Sequence, residues 1–245
     1  MSQKPFVFKR FRVKQDRCAM KIGTDAVLLG AWTPIKHELH SILDIGTGTG
    51  ILSLMLAQRT QAKRIDAIEI DENAYEQCVE NFENSNWNHR LCCYHSSVID
   101  FTADPPTDAV GKKIKYGLIV CNPPFFSAEY KTNSNQRNIA RFRDALPFDQ
   151  LVACVSKLLH PEGVFSVIIP YQVEDQFVNY ASKHKLYPNA IVHVKGTKST
   201  KTIRSLIAFS FRKSKTQATE LIIEIQRHEY SREYIDLTKE FYLKM

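Results

Sequence analysis

No apolar stretch in this 245-residue chain approaches the roughly 20 residues that a bilayer-spanning helix needs; the longest, such as Ala26 to Trp32, are far shorter. The basic N-terminus lacks the apolar core of a secretory signal, so none is expected. The six cysteines, at 18, 78, 92, 93, 121 and 154, sit mostly inside apolar runs without the paired spacing of a metal site. The eight histidines are scattered, and His37 and His40 lie three apart with no further partners. Zinc is therefore not expected, and buried thiols in a reducing cytoplasm are. Repeats, low-complexity tracts and linkers are also missing, which implies one domain, 1–245; a monomer is expected. Glycine is scarce: there are nine, and three of them fall between residues 46 and 50.

Those three organise the chain. Ser41-Ile-Leu-Asp-Ile45 is a short apolar run, Gly46-Thr-Gly-Thr-Gly50 follows, and a helix-like run from Ile51 to Ala57 comes next. Strand, tight turn and helix is the implied order. Gly46, Gly48 and Gly50 allow a ligand to lie against bare main chain. Asp44, in the shoulder of the turn, is placed to accept hydrogen bonds from the loop or from a ligand amine. A second apolar run, Ile65 to Ile70, carries Glu69 nineteen residues past Gly50, a spacing that suits a ribose diol. The dinucleotide signature Gly-x-Gly-x-x-Gly is not met, since Ile51 holds its sixth position, and no Gly-Lys-Ser or Gly-Lys-Thr of a P-loop follows. Glycine turns also serve plain strand-helix packing, so the reading requires an independent second motif.

Residues 116–126, Tyr-Gly-Leu-Ile-Val-Cys-Asn-Pro-Pro-Phe-Phe, supply it. Leu118 to Cys121 reads as a buried parallel strand, and Asn122-Pro123-Pro124 stops it because neither proline donates a ladder hydrogen bond. Pro123 also confines Asn122 to extended angles, which holds its amide in one direction. That suits chemistry on a planar nitrogen, whose lone pair is shared with a π-system. The Asn122 side-chain oxygen and the Pro123 main-chain oxygen would each accept one N–H, favouring a pyramidal nitrogen, and Phe125 would stack on the ring. Orientation and charge stabilisation then supply the rate without a metal.

The pair Asp-Ile-Gly-Thr-Gly-Thr-Gly (44–50) and Cys-Asn-Pro-Pro-Phe (121–125) resembles the class I S-adenosylmethionine-dependent methyltransferases, in the branch acting on exocyclic or amide nitrogen. The run Gln15 to Trp32 narrows the likeness to bacterial enzymes that methylate N6 of adenine 37, beside the anticodon, in valine tRNA. It continues through Tyr230-Ser231 and Phe241-Tyr242-Leu243. The resemblance implies a doubly wound, mostly parallel, seven-stranded α/β sheet (Rossmann-like) with an antiparallel edge hairpin. It implies S-adenosylmethionine as cofactor and tRNA as partner. It places Asn122, Pro123, Pro124 and Phe125 at the reacting nitrogen, and Asp44, Gly46, Gly48, Gly50, Glu69 and Asn122 at the cofactor. It also makes residues 1–33 a basic segment over the active site, with Lys21 and Thr24 at the cofactor's amino-acid end. On residues alone, Thr24 is equally a helix N-cap and Asp25 a dipole partner for a helix over 22–33. One departure concerns the adenine. Val98 stands where the family commonly has an acid, so either the Val98 and Ile99 backbone holds that ring or Asp100 reaches in from a shifted turn.

The net charge of +7 is concentrated. Residues 1–21 carry +6 and residues 190–219 carry +7, which leaves −6 for the rest of the chain. Local excess of this kind is expected of a surface that meets phosphates. The candidate RNA contacts are Lys9, Arg10, Arg12, Lys131, Arg137, Arg141, Lys198 and Lys201. Phe6, Phe8 and Phe11 interleave with the first cluster, either as stacking partners for bases or as core. The stretch 127–138 reads as a loop over the target pocket. Three other functions fit part of the pattern: a guanine-N2 or release-factor glutamine methyltransferase, a nicotinamide dehydrogenase, and an RNA-binding module without activity.

Overall fold

The computed structural model describes residues 4–124 and 146–245. In chain order the strands are β1 (Phe6–Val7), β2 (Arg12–Val13), β3 (Ser41–Ile45), β4 (Arg64–Glu69), β5 (Leu91–His95) and β6 (Tyr116–Cys121). They continue with β7 (Leu159–Pro170), β8 (Tyr187–Lys195), β9 (Thr202–Ser210), β10 (Gln217–Ile222), β11 (Glu224–Gln226) and β12 (Glu229–Tyr230). The helices are α1 (Thr24–Trp32), α2 (Ile51–Arg59), α3 (Glu72–Glu83), α4 (Val98–Ala103), α5 (Phe148–Leu158), α6 (Glu174–Lys183) and α7 (Arg232–Thr238).

The central sheet has the order β10-β8-β9-β7-β6-β3-β4-β5, and only β9 runs against its neighbours. Its middle strands are apolar on both sides because both faces are covered. Leu151, Val155 and Phe177 of α5 and α6 pack one face, and Leu28, Leu52, Leu56 and Tyr234 of α1, α2 and α7 pack the other. Among the described residues the sheet thus has eight strands where seven are expected. The β8–β9 pair is the expected antiparallel hairpin, but β10 lies outside it. Four residues of β10, Gln217 to Glu220, are exposed, so they lack the alternation that marks a half-buried strand. In β7, the chain enters the sheet at Leu159 through a bulge opposite Tyr116 and Leu118.

Packing decides between the two roles open to the phenylalanines. Phe8 and Phe11 are 2% and 7% exposed and stack on one another, with Phe8 also against Tyr242, so they are core and not a platform for bases. On α3, the buried face holds Gln77 and Asn81 beside Ala74, Cys78 and Phe82, while Val79 is only half-buried. The two amides hold the N-terminal segment. Asn81 exchanges hydrogen bonds with the backbone of Lys14 (2.8 and 2.9 Å), and Gln77 accepts from Arg17 N (3.1 Å).

Candidate active site

The register of the parallel strands brings the two motifs together. Ile45 pairs with Ile68 of β4 on one side and with Cys121 of β6 on the other. Gly46 and Asn122 therefore leave the sheet at the same level on adjacent strands, about 5 Å apart. This is the carboxyl edge of the strands, where open α/β sheets bind their ligands.

The loop is held by its own backbone and two acids. Gly46 N and Thr47 N both donate to Ile68 O (2.9 and 3.1 Å), and Gly46, Gly48 and Gly50 have φ of 68°, 56° and 82°. Among the described residues an added Cβ at Gly46 or Gly48 meets nothing within 4 Å, whereas at Gly50 it lies 2.6 Å from the Phe82 ring and 3.0 Å from Cys78 Sγ. The first two glycines thus border open space and the third is packed. Asp44 is fully buried, and its Oδ2 accepts from Thr47 Oγ1 (2.6 Å), Ser53 Oγ (2.9 Å) and Ser53 N (3.1 Å). Its Oδ1 has no partner among the described residues. Glu69 takes Gly48 N on Oε2 (2.8 Å), and Ile70 N and Asp71 N on Oε1 (2.8 and 3.0 Å). Both carboxylates shape the loop.

Burial pushes the Asp44 carboxyl up from 3.8 to about 6, and nearby Glu69 adds to the rise, against the hydrogen bonds from Thr47 and Ser53. A carboxyl whose pKa is raised on folding stabilises the fold below its unfolded value, and that contribution is lost as pH rises through the folded value. Stability contributed by Asp44 should thus fall by about 3 kcal/mol between roughly pH 4 and pH 6. Comparing denaturant midpoints of the wild type and Asp44→Asn across this window checks it: the substitution should flatten that part of the profile.

The N-terminal segment borders the same edge. Cys18 is buried, and its thiol is pushed up to about 12 by desolvation, then by the charges of Glu69 and Asp71. Lys21 is exposed and its Nζ donates to Gln15 O (3.2 Å), while Ile22 N donates to Gln15 Oε1 (2.9 Å). Thr24 is the first helical residue of α1 and not its cap; Gly23 takes the extended cap geometry, with no side-chain cap bond. Asp25 in that first turn pairs with Arg204 Nε (2.8 Å), and Arg204 faces Pro170 at the carboxyl end of β7. On the other flank, α4 starts directly after β5. Val98 is buried and Ile99 is half-exposed, and Asp100 is tied to its capping residue by Ser97 Oγ (2.6 Å).

Asn122 is half-buried, Pro123 buried and Pro124 exposed. No hydrogen bond to the Asn122 side chain occurs among the described residues. Phe125, Lys131, Arg137 and Arg141, together with the expected loop over 127–138, lie outside the described residues.

The basic residues separate. Lys198 and Lys201 are exposed in the turn between β8 and β9, at the same edge as Asn122. Arg212, Lys213 and Lys215 follow the far end of β9, about 30 Å away at the strand rise of ~3.4 Å per residue, so the second cluster is two surfaces. Arg10 and Arg12 are exposed and, with Lys14 and Asn84, line an open groove of about 650 Å³. Lys9 is exposed too, but its Nζ is bonded to the main-chain oxygens of Lys239 and Met245.

Sequence reasoning missed four groups: Thr47 and Ser53, which anchor Asp44, and Gln77 and Asn81. The Asp-x-x-Thr spacing from 44 to 47 carries a local signal for the first pair. Amides inside an amphipathic helix carry none.

The methyltransferase small domain family matches residues 22–168. The tRNA1(Val) (adenine(37)-N6)-methyltransferase of Flavobacterium psychrophilum is 55% identical over 98% of this chain and 100% of its own length. That of Christiangramia forsetii is 52% identical with all of both chains covered. A crystal structure of a predicted O-methyltransferase from Agrobacterium tumefaciens shares the fold, with a TM-score of 0.65 at 16% identity, over 89% of this chain and 96% of the other. The chain belongs to the methyltransferase small domain family and, within it, to the tRNA1(Val) (adenine(37)-N6)-methyltransferases.

Proposed function

We propose that this protein transfers a methyl group from S-adenosylmethionine to N6 of adenine 37 in valine tRNA. The observation that carries the reading is the register placing Asn122 beside Gly46, in a chain of this family. The open space over Gly46 and Gly48 fits a cofactor laid on main chain, and Glu69 stands where a ribose would lie. Asp44 and Gly50 keep that cradle in shape, and the Val98 and Ile99 segment flanks the adenine end. Lys21 and Thr24 approach the amino-acid end, within an N-terminal segment that covers the site.

When bound, S-adenosylmethionine supplies an electrophilic methyl carbon. The protein's part is to present the amine. Asn122 Oδ1 and the Pro123 main-chain oxygen each accept one N–H of the target, which turns the nitrogen lone pair out of the ring plane. As the nitrogen–carbon bond forms and the carbon–sulfur bond breaks, the nitrogen would become cationic; the same two oxygens would stabilise that charge without reorganising, and one N–H proton would then leave to solvent to restore the neutral amine. Phe125 stacks on the purine. The adenine reaches this place by leaving its stack, at a cost of about a few kcal/mol that loop bases partly avoid.

Arg10, Arg12, Lys198 and Lys201 contact tRNA phosphates, and Lys131, Arg137 and Arg141 join them in that role. Lys9 instead closes the C-terminal end of α7. Deleting residues 1–12 would remove Phe8 and Phe11 from the core, so point substitution is the proper test. Arg10→Ala with Arg12→Ala should leave the melting temperature unchanged and reduce the slope of log affinity against log salt by about 1.4–1.8, as expected for two lost phosphate contacts. An unchanged slope assigns the pair to solubility.

The function itself is tested by incubation with labelled donor and unmodified valine tRNA, followed by nucleoside mass spectrometry. N6-methyladenosine is expected at position 37 and is absent from a transcript with guanine there. Label in guanine-N2, or in protein glutamine, would reject the assignment.

A further inference from the structure

A cluster at the carboxyl edge of the sheet takes no part in the chemistry above. Tyr171 follows the last residue of β7 and is 43% exposed. Its ring lies 5.1 Å from that of His193 on β8, at 83°. His193 Nε2 is in turn bonded to both carboxylate oxygens of Glu174, at 2.9 and 3.2 Å, and Ser205 Oγ donates to the same carboxylate. Glu174 is mostly shielded, with 15% of its side chain exposed, so its charge is directed inward and the aromatic pair is what solvent meets.

The turn joining β8 to β9 stands beside this cluster. Thr197 and Thr200 close it with three mutual hydrogen bonds of 2.9–3.1 Å, and Arg204 at its base is pinned by Asp25. Lys198 and Lys201 are thereby presented on an ordered turn. Strand order puts β7 next to β6 and β8 two strands further on, so the aromatic pair and the lysines lie about 5–15 Å sideways from Asn122. That interval spans one to two nucleotides of an extended strand.

We propose that Tyr171, braced by His193 and Glu174, is a stacking platform for an unpaired base next to the target nucleotide, with Lys198 and Lys201 on the flanking phosphates. The proposal rests on the RNA reading above and names the ligand of this face as single-stranded RNA. Every base has a π-face, so the platform adds affinity and orientation without fixing sequence. The His193–Glu174–Ser205 bonds are the positioning part: they prevent the imidazole from turning and opening the back of the tyrosine ring.

The test measures direct binding, independent of turnover, with unmodified valine tRNA and with a hairpin oligonucleotide of its anticodon arm. Tyr171→Ala should weaken both by about tenfold, and Tyr171→Phe should restore affinity to within about threefold of wild type, because stacking needs the ring and not the hydroxyl. The dissociation constant for S-adenosylmethionine and the melting temperature should not move. Lys198→Ala with Lys201→Ala should lower the salt slope by about 1.4, the value for two contacts to a single strand. Unchanged RNA affinity in Tyr171→Ala would overturn the proposal, as would equal losses in the alanine and phenylalanine variants. Failure of the parent reading shows separately, as wild-type protein that binds the hairpin but methylates no tRNA.

Discussion

Asn122→Ala is expected to lower methyl-transfer turnover by about 10²- to 10³-fold, the range seen when one preorganised group facing developing charge is lost. The substitution removes one of two acceptors for the target N–H groups and leaves the amine conjugated with its ring. The side chain is half-buried and free of hydrogen bonds among the described residues, so its loss breaks no internal network. Stability should therefore stay near that of wild type. Cofactor affinity should change much less than turnover, by at most about tenfold, because the cradle is formed by Gly46, Gly48 and Glu69. Single-turnover rates, together with calorimetric titration of the cofactor, separate the two. A collapse in cofactor affinity at unchanged single-turnover rate would move Asn122 out of the role given to it.

The second large effect is at Gly50. Gly50→Ala forces a side chain into a backbone with φ of 82° and drives its Cβ to 2.6 Å from the Phe82 ring. Left-handed strain costs about 1–2 kcal/mol and overpacking about 1–3 kcal/mol, so a loss of about 2–5 kcal/mol is expected. That corresponds to a drop in melting temperature of about 5–15 °C for a chain of this size. Adding Phe82→Leu should recover part of it by relieving the overlap. Gly46→Ala and Gly48→Ala behave differently. Their Cβ atoms meet nothing among the described residues, so the strain of about 1–2 kcal/mol is what applies to the fold. Cofactor affinity should nevertheless fall by about an order of magnitude, because the added methyl occupies the space where a ligand meets main chain. Equal thermal losses at all three positions would contradict the division into two open glycines and one packed glycine.

The parts of the fold visible in the sequence are those where local pattern and tertiary role coincide. Ile42 to Ile45 and Leu118 to Cys121 are continuous apolar runs because both faces of their strands are covered, and that burial is what the sequence displays. Asp71 and Ser231 announce their helices because each accepts a hydrogen bond from the residue three further on, a purely local device. Thr24 offers the same composition, yet Gly23 takes the cap position and the segment is placed by the Asp25–Arg204 pair, a contact between residues distant in sequence. Phe8 and Phe11 could not be resolved for a related reason: whether an aromatic among arginines faces solvent depends on Trp87, Phe241 and Tyr242, which arrive from elsewhere in the chain. In the candidate site, residue type and spacing single out the glycine turn, Glu69 and Asn122, and the strand register brings the turn and Asn122 together. The clamp formed by Gln77 and Asn81 is not singled out in this way, because a buried amide differs from a solvated one only in its partners.

Methyl transfer by this protein requires the two loop motifs to face one another across the edge of the sheet. A crystal structure of the protein with S-adenosylmethionine and adenosine tests this most directly. With reacting atoms at about 3–3.5 Å and hydrogen bonds near 3 Å, the methyl carbon should lie about 4–6 Å from the Asn122 side-chain oxygen, with N6 between them. A cofactor bound away from Gly46 and Gly48, or an adenosine whose N6 is turned from Asn122, would contradict it.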